Sequence, residues 1–79
     1  MIESALRSEL WMLELSLQRT AQRLQTFESQ YELTSDEFER RFNTGEIEES
    51  LGFIEWAGEI KTSRLLQAQH QALQGLQLT

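Results

Sequence analysis

Apolar and near-apolar residues recur along the first part of the chain at Leu6, Leu10, Leu13, Leu17, Thr20, Leu24, Phe27 and Tyr31. The steps alternate between four and three, which is the heptad seam of a helix that packs along its length. Thr20 is the weak place in that seam. The pattern predicts a helix over about residues 3–30, roughly 40 Å long. Leu13-Glu14-Leu15-Ser16-Leu17 also alternates as a strand would, but the seam runs through it in phase, so the helix reading wins. Trp11, Met12 and Leu15 lie off the seam and predict either a second contact surface, supplied by another subunit, or a tightly covered end of the intramolecular hairpin. The oligomer interface is therefore expected on Leu6, Leu10, Trp11, Leu13, Leu17 and Leu24.

A short helix is predicted over about residues 35–44 by its ends. Thr34 and Ser35 are good N-caps, and Thr34-x-x-Glu37 has the form of a capping box. Asp36, Glu37 and Glu39 fall in the first turns and Arg40 and Arg41 near the end, which suits the helix dipole. Asn43-Thr44-Gly45 stops the helix, with Gly45 in the left-handed position beyond it. Phe38 and Phe42, four apart, point to one side and are expected to fasten this helix over its neighbours.

A third helix is predicted from about residue 51 to about residue 76. Ser50 is its candidate N-cap. Phe53, Ile54, Trp56, Ala57 and Ile60 make a broad apolar face, which Leu65, Leu66, Ala68, Ala72, Leu73 and Leu76 continue in a less regular phase. Ala57 and Gly58 are small enough for close helix approach, and Gly75 is expected to mark fraying.

These elements imply an all-α fold in one domain over residues 1–79: a long helical hairpin with a short middle helix, assembling into a coiled-coil or four-helix-type bundle. Seventy-nine residues without a cysteine make a small core with no covalent staple, so a homodimer or larger bundle is expected. Proline is absent, which leaves long helices unbroken. No apolar run approaches the ~20 residues of a membrane span, and the N-terminus lacks a basic-then-apolar leader. A soluble cytoplasmic protein without a membrane partner is the expectation.

Charge sharpens this picture. Between Glu28 and Glu59 lie ten acids against Arg40 and Arg41, net −8, while the rest of the chain carries net +2. Such a centre suits no direct nucleic-acid partner, because phosphate contacts need Lys and Arg. It suits a basic protein, or it is a solvated surface that keeps the chain soluble. Catalysis finds little footing. His70 is the only histidine, with no acid within a turn of it. Glu55 and Glu59 share a face, but Glu-x-x-His is absent, and so is any glycine-rich phosphate loop. No enzyme, catalytic residue, metal site or cofactor is expected.

One stretch has a more particular layout. Tyr31, the helix start Ser35-Asp36-Glu37-Phe38, Arg40-Arg41-Phe42, Gly45-Glu46 and then Phe53-Ile54-Glu55-Trp56-Ala57 resemble a group of small helical antitoxin-like proteins of prokaryotic, cyanobacterial-type toxin–antitoxin pairs. The resemblance covers roughly residues 27–66. The chain departs from that pattern at Glu32, where a glycine often follows the tyrosine, and at Ser50-Leu51-Gly52, where aspartates usually precede the phenylalanine. The resemblance implies a binding protein that holds or neutralises a neighbour-encoded protein such as a cognate toxin. The expected partner-binding residues are Glu37, Arg41, Glu46, Glu48, Glu55 and Trp56. The competing reading is a structural module whose coiled-coil seam is its whole function.

Overall fold

The computed structural model describes residues 2–78, with side chains described for residues 4–76. These residues form three helices, α1 (Ile2–Tyr31), α2 (Ser35–Asn43) and α3 (Leu51–Leu78). α1 and α3 pack together as an antiparallel hairpin measuring 49 × 21 × 17 Å. Cross-helix pairs record the direction: Tyr31 lies on Phe53, Arg23 pairs with Glu59 and Glu14 with His70. α3 does not fray at Gly75 but continues to Leu78.

The heptad seam of α1 is real, but its partner is α3 of the same chain. Leu10 and Leu13 are each 7% exposed within one chain, and Leu6, Leu17 and Leu24 are half-buried. This corrects the assignment of Leu10 and Leu13 to an oligomer interface, since they are spent within the chain, whereas Leu6, Leu17 and Leu24 keep part of their surface open. At 28 residues α3 is nearly as long as α1, so it covers the seam that a shorter helix would have left open. Trp11, off the seam, does remain 61% exposed. Thr20 is buried without loss, because its hydroxyl donates to the Ser16 carbonyl at 2.9 Å.

α2 lies over one end of the hairpin and closes its core. Phe38 and Trp56 are fully enclosed, with ring centroids 3.9 Å apart and planes 4° from parallel. Phe27 and Tyr31 stack on Trp56, and Phe42 and Phe53 tilt against Phe38. Six of the seven aromatic residues thus join in one network, and Trp11 is the seventh. The indole N–H of Trp56 donates to Ser35 Oγ at 3.0 Å, so the buried ring leaves no polar atom unpaired.

The turns around α2 follow from capping. Thr34 Oγ1 accepts from the Glu37 N–H at 3.2 Å, and Glu28 Oε2 accepts from the Ser35 N–H at 2.7 Å. α2 ends with Gly45 at φ +79°, where the Glu46 N–H reaches the Arg41 carbonyl and the Gly45 N–H the Phe42 carbonyl. α1 ends in a related way, with the Leu33 N–H on the Glu28 carbonyl, but its left-handed residue is Glu32 at φ +52° rather than a glycine. Ser50 Oγ accepts from the Phe53 N–H at 3.2 Å and starts α3.

Candidate interaction surfaces

The α2 end of the hairpin gathers the acids, and the structure sorts them into two sets. In the first, charge is satisfied locally. Glu37 accepts from Arg40 Nη2 at 2.7 Å and Nε at 3.1 Å, and from Arg41 Nε at 3.0 Å. Arg40 also reaches Glu46 at 3.4 Å, and the Thr44 hydroxyl donates to Glu46 at 2.8 Å. Hydrogen bonds from Arg40 and then Arg41 hold the Glu37 carboxyl well down, at about 2 from an ordinary 4.5. The reciprocal half of the capping box is therefore missing, since the Glu37 carboxylate is turned to these arginines. Glu39 takes both arms of Arg64 on α3, one at 2.6 Å, and its carboxyl is likewise held low by that hydrogen bonding. Arg23 on α1 pairs with Glu59 on α3 at 3.2 Å.

The second set is unpaired. Glu32, Glu48, Glu49 and Glu55 are exposed and have no hydrogen-bond or ion-pair partner among the described residues. Glu32 sits in the α1–α2 turn, Glu48 and Glu49 just before α3, and Glu55 in its first turns. All four belong to the same end of the molecule. Glu55 edges a shallow groove between α1 and α3 whose floor includes Phe27 and Gly58.

The residues expected to bind a partner therefore fall into three places. Glu48 and Glu55 are free at the surface. Glu37, Arg41 and Glu46 belong to the ion-pair network that braces α2. Trp56 is a correction: it is 0% exposed, because α2 lies over it and Phe38 covers its ring. Sequence reasoning left Glu32 and Glu49 out of the expected partner-binding set; their places in the turns flanking α2, Glu32 directly after Tyr31 and Glu49 directly before Ser50, were the signal.

Two further features lie away from the acids. Trp11 and Met12 are 61% and 62% exposed on α1, and Trp11 borders a groove with Leu15, Glu14 and His70. His70 Nε2 is 3.2 Å from Glu14 Oε1, a partner 56 residues away that a search within one turn could not find. Among the described residues no group of three or more His, Asp or Glu gathers as metal ligands would, and no helix is long and apolar enough to cross a membrane.

No protein-family model matches the chain, and neither a curated protein nor a solved structure matches it.

Proposed function

We propose that the chain is a protein-binding module that docks a basic partner at its acidic end, in the manner of an antitoxin holding its cognate toxin. The observation that carries this reading is the unpaired rim of Glu32, Glu48, Glu49 and Glu55 beside Glu28, Glu37, Glu39, Glu46 and Glu59, which arginines or caps match, with Asp36 exposed and unpaired in the first turn of α2. Glu32 adds weight. It holds a left-handed backbone that disfavours a side chain by about 1–2 kcal/mol, yet its carboxylate makes no internal bond. Strain kept without an internal return is a feature of functional positions. Docking would be steered by long-range charge, and the aromatic core beneath would keep the rim rigid.

The test uses the product of the neighbouring reading frame as the candidate partner, co-expressed with this chain. Co-purification with the wild type, and its loss with Glu48→Lys, Glu49→Lys and Glu55→Lys together, is expected. Binding that survives all three charge reversals would remove the rim as the docking surface.

A second reading, an assembly module acting through self-association, is favoured by a different observation. Trp11, Met12, Ile54, Leu65 and Leu76 are all more than half exposed although the seam is already filled. The same charge reversals would leave self-association unchanged.

A further inference from the structure

Beside the acidic rim, α1 and α3 leave a shallow groove whose two walls differ in charge. α3 contributes Glu55 and Glu59, one turn apart and therefore neighbours on the helix surface, and α1 contributes Arg23. Phe27 lines the floor, held by stacking on Trp56 with ring centroids 5.5 Å apart and planes 7° from parallel. Gly58 lies between the two carboxylates in sequence and puts no side chain into the groove. Neither Arg19 nor Lys61 lines it, so among the described residues the groove holds two acids against one base.

That base is loosely held. Arg23 reaches Glu59 through a single nitrogen, Nη1, at 3.2 Å, and its side chain is 64% exposed, whereas the Glu59 side chain is 19% exposed. Further along α3, Arg64 grips Glu39 with both terminal nitrogens. Glu59 is thus a largely covered carboxylate met by one exposed donor. Glu55, a turn away, has no hydrogen-bond or ion-pair partner among the described residues. Like charges at this spacing repel, and the fold leaves one of them uncompensated. An exposed single-point ion pair is worth little, so exchanging it for a better one costs little. The groove also shows which cation it accepts, because the group it already seats is a guanidinium. A guanidinium is planar, weakly hydrated and able to bridge two carboxylates, and the apolar stem behind it suits an aromatic floor.

We infer that this groove receives an arginine side chain of the basic partner. The guanidinium bridges Glu55 and Glu59, the stem lies over Gly58 against Phe27, and Arg23 gives up Glu59 and turns to solvent. This inference rests on the docking reading and names the residue that the partner brings. Glu48 and Glu49 then steer the encounter by charge, and the groove fixes its register.

The probe is a fluorescein-labelled oligoarginine peptide, its binding followed by anisotropy in about 50 mM salt, where charge is only partly screened. Gly58→Leu fills the groove without altering charge, and a Cβ there meets nothing within 4 Å, so the helix accepts it. It should weaken binding about tenfold with helical circular dichroism unchanged. Arg23→Gln frees Glu59 and should tighten binding more than Arg19→Gln, which removes the same charge outside the groove. An oligolysine peptide of the same length should bind more weakly than oligoarginine. Wild-type affinity in Gly58→Leu, equal gains from Arg23→Gln and Arg19→Gln, or oligolysine binding as tight as oligoarginine would each overturn the groove and leave the rim reading standing. Glu48→Lys with Glu49→Lys tests the rim apart from the groove: a peptide that this pair leaves bound but Gly58→Leu releases would overturn the rim and keep the groove. A wild-type chain that binds neither peptide would overturn both.

Discussion

The two ends of the hairpin are built on different principles. At the α2 end a fully enclosed Trp56–Phe38 pair sits inside a six-ring network, roofed by α2 and braced by the Arg64–Glu39 pair. At the open end Leu10 and Leu13 are the buried large residues, while Trp11 and Met12 face outward. Stability is concentrated where three elements meet, and the two-helix end is left as a plain seam. The lesson is that the acidic end is the rigid end. An unpaired acidic rim mounted on that core can present fixed charges, whereas the open end offers apolar surface on a lighter frame.

Truncations at the two ends test this most strongly. Trp56→Ala should lower stability by about 3–5 kcal/mol, and Leu10→Ala by about 2 kcal/mol, in urea unfolding at one fixed protein concentration. The first should also melt α2, which has no other roofed core to sit on. Equal losses at the two sites would break the contrast.

Ser35→Ala comes next. It removes the acceptor of the Trp56 indole N–H and leaves a donor inside the aromatic core without a partner. A loss of about 1–2 kcal/mol is expected, together with faster hydrogen exchange of that indole proton. Unchanged exchange would show that the bond does not anchor α2 to α3.

How far this division could be read from the sequence depends on the range of the cause. Helix ends were legible because they are local. Thr34, Ser50 and Gly45 act within a turn, and all three cap as their residue types require. The heptad seam was legible too, because a 4-3 alternation needs no knowledge of the partner. Which partner fills it was not. A seam reads the same whether the opposite helix belongs to this chain or another, and only the full length of α3 decides it for Leu10 and Leu13. Trp56 was misplaced for a related reason. Glu55 and Trp56 are adjacent, and the side that α2 covers decides which of them is enclosed. The Glu14–His70 pair spans 56 residues and had no local trace.

Glu32→Gly sharpens the comparison from the other side. Relief of the left-handed strain at φ +52° should stabilise the chain by about 1 kcal/mol, which raises Tm by roughly 4–8 °C for a domain of this size. If the acidic end docks a basic partner, the same change should weaken that binding while the fold gains. A variant that is stabilised with binding intact would leave Glu32 outside the docking rim.

The smallest expected effect is the dependence on pH, and its sign follows from Glu37. Arg40 and Arg41 hold that carboxyl at about 2 in the folded chain, below its ordinary 4.5. The unfolded chain therefore takes up the proton first as the solution is acidified. The stabilisation is whole above about pH 4.5 and is lost as the pH falls toward 2. Glu39, held low by Arg64, acts in the same direction. Both carboxylates are at the surface, so solvent and salt screen them and the effect is modest. Glu37→Gln should flatten part of the acid limb of stability measured by thermal unfolding from pH 6 to pH 2. That difference should shrink in about 1 M salt, where the Debye length is about 3 Å. A wild-type acid limb that Glu37→Gln and Glu39→Gln together leave untouched would place the acid-sensitive contacts outside these two α2 ion pairs.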